Sequence, residues 1–186
     1  MTLIKDNYIL YLVLLKQDNT FESEFIKQMN ECLDEVEKTE GPACLVCIGA
    51  GDKIFTTGFN LPVWEKEGII AQWQTIMMMH KTFARFLTLP VPTMAVQNGM
   101  TIAGGLLFSL LFNFRTMKDD PKNFVCLSEI NIGISLSPGL AAIVKNSLDP
   151  QTSRLLVYGG RFNALQSLNR ELKTNFTSQI KIYKLR

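Results

Sequence analysis

Between Asn123 and Val144 the chain carries one charged side chain, the carboxylate of Glu129, inside Asn-Phe-Val-Cys-Leu-Ser-Glu-Ile-Asn-Ile-Gly-Ile-Ser-Leu-Ser-Pro-Gly-Leu-Ala-Ala-Ile-Val. Withdrawing an ionised acid from water is costly unless it is paired, and desolvation raises its pKa. Two readings of Glu129 follow. One is a general base or acid tuned toward neutral pH by its surroundings; the other is a glutamate that bends out to solvent at a strand end.

Two further segments share a physical design. Gly49-Ala50-Gly51-Asp52-Lys53-Ile54-Phe55-Thr56-Thr57-Gly58-Phe59-Asn60 and Asn98-Gly99-Met100-Thr101-Ile102-Ala103-Gly104-Gly105 are Gly-rich, follow apolar strand-like runs and precede helical patterns. The first N–H groups of a helix have no partner within it. Such loops can aim two amides at one oxygen, with Phe59 and Gly104 as candidate donors, and so form an oxyanion hole. The structural alternative is that the glycines only permit tight turns and close packing. Neither loop is G-x-G-x-x-G or a P-loop, so phosphate binding of those kinds is not supported.

These segments sit in a regular order of elements. Tyr8 to Leu15 reads as a strand, and the whole N-terminal stretch from Met1 as β rather than as a signal peptide. Asp6 interrupts any basic region there, and no small-residue cleavage site follows. Asp18-Asn19-Thr20 offers a turn and a helix N-cap, after which Phe21, Phe25, Met29, Leu33 and Val36 recur at helical spacing up to Gly41-Pro42. Cys44 to Ile48 is an apolar strand, so the chain opens with a β-α-β unit and a parallel, covered sheet. The pattern predicts a helix over Ile69 to Leu87, strands at Thr93 to Gln97, Phe114 to Met117 and Phe124 to Leu127, and helices at Leu106 to Leu111, Pro138 to Leu148 and Pro150 to Tyr158. Beyond Arg161 the pattern degrades, and Asn169 to Arg186 is polar and weakly periodic.

At 186 residues, 47% hydrophobic and 19% charged, the chain is long enough for one domain with a sizeable core. A net charge of +2 with scattered Lys and Arg suggests neither a nucleic-acid stripe nor a polybasic membrane patch. Tyr8 to Leu15 and Ile102 to Phe112 are too short to span a bilayer, so the chain reads as soluble, without a membrane partner. Cys44 and Cys47 form a C-x-x-C, but on a strand residues three apart face opposite ways. With Cys32 and Cys126 unorganised and His80 set among Met77, Met78, Met79 and Phe83, no metal site is expected, and His80 reads as a core or interface residue.

Four motifs, in order, resemble the enoyl-CoA hydratase/isomerase family, the crotonase superfamily. Phe55-Thr56-Thr57-Gly58-Phe59-Asn60-Leu61 is similar to its Phe-x-x-Gly-x-Asp-Leu segment, and Ala95 to Gly105 to its Ala-x-x-x-Gly-x-Ala-x-Gly-Gly-Gly element. Leu127-Ser128-Glu129-Ile130-Asn131-Ile132-Gly133 resembles Pro-Glu-x-x-x-Gly, and Tyr158-Gly159-Gly160-Arg161-Phe162-Asn163-Ala164 resembles Gly-x-x-x-x-Ala. The Ser-Glu-Ile-Asn-Ile-Gly-Ile-Ser-Leu form resembles in particular the peroxisomal Δ3,Δ2-enoyl-CoA isomerases of plants and their relatives. Asn60 departs from the usual Asp, and Ala103 stands where Gly is common.

The resemblance implies an α/β crotonase-like spiral of repeated ββα units over residues 1–168, with 169–186 as an atypical tail and the C-terminal helical part truncated. It implies an acyl-CoA thioester polarised by the amides of Phe59 and Gly104, Glu129 as the catalytic base, and a pocket bounded by Leu61, Gly105, Leu107 and Leu127. Hydratases carry a second glutamate where this chain has Leu107, so the resemblance favours double-bond isomerisation by one carboxylate over hydration, and over dienoyl isomerisation, hydrolysis or decarboxylation. It further implies no cofactor beyond the CoA of the substrate, a homotrimer or hexamer, and a peroxisomal or else cytoplasmic location. The terminal Tyr-Lys-Leu-Arg is not a Ser-Lys-Leu address. The alternative is a truncated, non-catalytic member that binds acyl-CoA or a partner subunit.

Overall fold

Asn7 is the first residue to bend the chain: its φ of +50° turns strand β1 (Thr2–Asp6) back against β2 (Ile9–Leu14). The N-terminal β segment is therefore an antiparallel hairpin rather than one strand, because Asp6-Asn7 supplies turn chemistry and asparagine tolerates the left-handed region. The computed structural model describes residues 1–170 and Leu172; most of the tail expected over 169–186 lies outside the described residues.

Helix α1 (Ser23–Glu37) follows, then β3 (Cys44–Gly49), β4 (Ile54–Thr56), the short α2 (Leu61–Trp64) and α3 (Ile69–Leu87). Next come β5 (Thr93–Gln97), β6 (Met100–Ile102), α4 (Gly104–Ser109), β7 (Phe114–Met117), β8 (Val125–Cys126) and a 3-10 turn at Glu129–Ile132. Helices α5 (Pro138–Ser147) and α6 (Pro150–Val157), strand β9 (Arg161–Phe162) and α7 (Ala164–Asn169) complete the described chain.

Each of three successive units gives its first strand to one sheet and its second to another. The first sheet runs β1-β2-β3-β5-β7, parallel from β2 onward, and the second runs β4-β6-β8-β9, parallel except for its last pair. This is the repeated ββα architecture, with helices returning the chain between parallel strands.

The core lies between the first sheet and the helices. Leu12, Leu14, Leu45, Cys47 and Ala95 are fully buried, and α1 adds Phe25, Ile26, Met29, Leu33 and Val36, the face its periodicity predicts. Phe108 of α4 sits amid Phe21, Phe55, Phe83, Phe86 and Phe112, with ring centroids 4.9–6.3 Å away. Cys44 and Cys47 fall on opposite faces of β3, the first half-buried and the second wholly enclosed.

The expected N-cap of α1 is corrected. Glu22 occupies that position without a side-chain cap, while Asn19 and Thr20 turn elsewhere. Asn19 donates to the Phe55 carbonyl at 2.9 Å and Thr20 Oγ1 to Glu22 at 3.1 Å. Part of the Gly49–Asn60 segment read as loop is strand β4, and β6, α2, the 3-10 turn, β9 and α7 are further short elements that the periodicity did not resolve.

Candidate active site

Three parallel strands end side by side in the second sheet, with Thr56 paired to Thr101 and Ile102 to Cys126. Two or three residues past those ends stand Phe59, Gly104 and Glu129. Ligands bind preferentially outside the carboxyl ends of parallel strands, and here the three residues line one cavity of about 480 Å³, a size that suits a small-molecule ligand.

The first loop is held by the strand segment before α1. The Phe21 N–H donates to the Gly58 carbonyl at 2.7 Å, and Thr56 Oγ1 accepts from the Gly58 N–H at 3.2 Å while donating to the Asn19 carbonyl at 2.7 Å. A trans peptide sets its C=O and N–H on opposite sides, so the Phe59 N–H faces away from Phe21. Gly58 itself needs to be glycine: its φ is +79°, and a Cβ there would lie 2.7 Å from the Gly104 nitrogen. The two loops thus touch backbone to backbone.

The second loop turns at Ala103, whose φ of +52° is strained for a residue with a side chain. Its N–H donates to the Cys126 carbonyl at 2.9 Å, and its own carbonyl accepts from Leu106 and Leu107. Among the described residues, neither the Phe59 N–H nor the Gly104 N–H has an acceptor.

Glu129 opens the 3-10 turn instead of bending outward from a strand. It is half-buried, and its Oε2 is wholly shielded without a hydrogen-bond partner. Burial pushes its carboxyl above the ordinary value of 4.5, with the backbone N–H groups of Glu129 and Ser128 pulling the other way. Asp18 also lines the cavity, but it is exposed.

Leu61 and Leu107 stand in the cavity wall, the latter 1% exposed. Gly105 and Leu127 do not line it. Gly105 packs under β4, where a Cβ would meet the Thr56 carbonyl oxygen at 2.3 Å. Leu127 lines a second cavity of about 600 Å³, which has Glu129, Ile134, Ser135 and Leu136 in common with the first.

His80, expected in the core or an interface, lines the first cavity, with Nε2 3.3 Å from Ser137 Oγ. The sequence signal was its place within one turn of Ile76 and Met79, which share that wall. Trp64, stacked on Phe59 at 5.1 Å, belongs to the same wall and had no sequence signal beyond its proximity to the first loop. Among the described residues no three His, Cys, Asp or Glu side chains gather to hold a metal ion, and no helix is long and apolar enough to cross a membrane.

A family model described as enoyl-CoA hydratase/isomerase matches residues 7–180. The chain belongs to that family. It is 30% identical over 149 residues to Enoyl-CoA delta isomerase 3 of Arabidopsis thaliana, a match covering 77% of this chain and 61% of that protein. It is 25% identical over 169 residues to Enoyl-CoA delta isomerase 2, peroxisomal, of the same plant, covering 86% and 70%. The chain therefore spans less than two thirds of the first of these relatives.

The fold matches the crystal structure of an enoyl-CoA hydratase from Bacillus anthracis with a TM-score of 0.84 at 20% identity, over 92% of this chain and 67% of that one. A hydratase from Polaromonas sp. JS666 matches at 0.81 and 21%, over 92% and 68%. These likenesses establish the crotonase-like fold.

Proposed function

We propose that the chain is a Δ3,Δ2-enoyl-CoA isomerase acting on unsaturated acyl-CoA thioesters. The observation that carries this reading is one shielded carboxylate, Glu129, in the same cavity as two acceptor-free backbone amides, Phe59 and Gly104. The isomerase names of two plant relatives support it.

Ionised Glu129 takes a proton from C2 of a 3-enoyl thioester. The electron pair of that C–H bond moves into a C1–C2 double bond, and the thioester carbonyl becomes an oxyanion conjugated to the C3–C4 alkene. The two amides stabilise that oxygen; removing one donor of this kind costs about 3 kcal/mol of transition-state stabilisation. Protonated Glu129 then delivers the proton to C4, the carbonyl re-forms, and the double bond rests between C2 and C3. Atoms balance without a cofactor, and Glu129 returns to its carboxylate form. Leu107 leaves its side of the wall without a second acid, which disfavours water addition.

The test is conversion of a 3-enoyl-CoA to the 2-enoyl isomer by purified protein and by Glu129→Gln, with hydration of 2-enoyl-CoA measured alongside. Undiminished turnover by the variant, or brisk hydration by the wild type, would refute the single-base scheme. The peroxisome is the proposed compartment, supported by the name of one relative, and a homotrimer or hexamer is the proposed assembly.

A further inference from the structure

The geometry points to Glu22 and Asn60 as a positioning pair that aims the Phe59 N–H; its kinetic consequences rest on the isomerase reading above. Phe59 is held from both sides by consecutive residues of one segment. Before it, the Gly58 carbonyl accepts from Phe21 N–H at 2.7 Å; after it, Asn60 Nδ2 donates to Glu22 Oε1 at 2.9 Å. Rotation of the Gly58–Phe59 peptide would break the first of these links, and displacement of the backbone that follows Phe59 would break the second.

Asn60 uses both ends of its amide. Oδ1 accepts from Val63 N–H at 3.4 Å, capping α2, while Nδ2 donates to Glu22. A carboxylate could do the first task but not the second, because it has no proton to donate. Glu22 is kept as the anionic partner. Lys16 Nζ lies 2.9 Å from its Oε2, and Thr20 Oγ1 donates to Oε1 at 3.1 Å. Lys16, Asn60 and Thr20 together hold its carboxyl below the ordinary value, and Lys16 is the charged group that faces it.

The pair therefore has a signature that a merely structural contact lacks. Asn60→Asp sets two carboxylates at hydrogen-bonding distance, where both cannot stay ionised without separating. At alkaline pH they part and release Phe59; as pH falls, one shared proton restores the link. Replacing Glu22 by Gln in that background supplies an amide donor from the opposite side.

The experiment compares the full chain with Asn60→Asp and with Asn60→Asp/Glu22→Gln. It measures kcat and KM for a 3-enoyl-CoA between pH 4 and 9, and the ¹H–¹⁵N shift of the Phe59 amide over the same range. In Asn60→Asp at pH 8, kcat falls roughly ten- to a hundredfold with little change in KM, and the Phe59 resonance moves. The ratio of its kcat to that of the wild type recovers as pH falls, and the double variant restores both readouts. An unmoved Phe59 resonance, or a loss that ignores pH and is not rescued by Glu22→Gln, would overturn the pairing. A wild type that does not isomerise 3-enoyl-CoA overturns the isomerase reading instead, while the Phe59 resonance still decides the positioning role.

Discussion

Because burial raises the Glu129 pKa, ionising this side chain works against the fold. A carboxyl with a folded pKa above its unfolded one favours the native state fully below the unfolded value and loses that contribution as pH rises through the folded value. Glu129→Gln therefore unfolds at a higher temperature than the wild type at pH 8, and the two Tm values converge below the ordinary pKa of 4.5; calorimetry across pH tests this. The same substitution lowers kcat by about 10²- to 10⁴-fold, the usual worth of a positioned general base. Wild-type kcat/KM declines as pH falls through the raised pKa. Ala103 is a second residue under local cost. Its φ of +52° stores strain at the turn that presents the Gly104 amide, so Ala103→Gly gains about 1 kcal/mol, the relieved strain less the added unfolded-state entropy. Denaturant unfolding checks it, and a destabilised variant would show that Ala103 is held there by packing instead.

Among the elements, the periodic segments were readable from the sequence and most of those of two or three residues were not. The helix expected over Ile69 to Leu87 and the strands Thr93–Gln97 and Phe114–Met117 keep those bounds in the structure, because a burial pattern sustained over several residues specifies both period and face. Strands β4, β6 and β9 have two or three residues each, too few to establish an alternation, and they exist because neighbouring strands pair with them. Glu129, Phe59 and Gly104 stood out as one acid in an apolar run and two Gly-rich loops. His80 did not, since its cavity depends on how α3 meets the segment at Ser137. Helix α3 is also held against α1 by a polar seam. Arg85 reaches Asp34 at 2.7 Å, Glu37 at 2.9 Å and Asn30 Oδ1 at 2.8 Å, while Thr82 accepts from Asn30 at 2.7 Å. Arg85→Ala costs about 1–2 kcal/mol, more than a lone exposed pair because several charge-assisted bonds share one guanidinium. The loss shrinks in high salt, which chemical denaturation with and without added NaCl measures.

For the molecule as a whole, part of the exposed apolar surface is grouped rather than scattered. Ile69, Ile70, Trp73 and Met77 lie along the first turns of α3, at 48–73% exposure. Ile130 and Ile132 lie in the 3-10 turn and Ile134 just after it, while Val157 and Tyr158 stand at the end of α6 beside the second cavity, in whose lining Ile130, Ile134, Val157 and Tyr158 all take part. Single exposed apolar residues are ordinary on a monomer, whereas grouped ones mark surfaces that another chain or a ligand covers. The isoleucines border both cavities through Ile132 and Ile134 in the first and Ile130 and Ile134 in the second, so a chain packed against them would also wall off Glu129 from bulk water. Closing the site in this way strengthens every electrostatic interaction inside it, which links assembly to the chemistry proposed for Glu129. The expected result is a mass of three or six chains by light scattering at micromolar concentration. Ile132→Lys, which places a charge at 51% exposure on this surface, shifts that mass toward the monomer. A wild type that stays monomeric with full turnover would show that the cavity excludes water without a second chain.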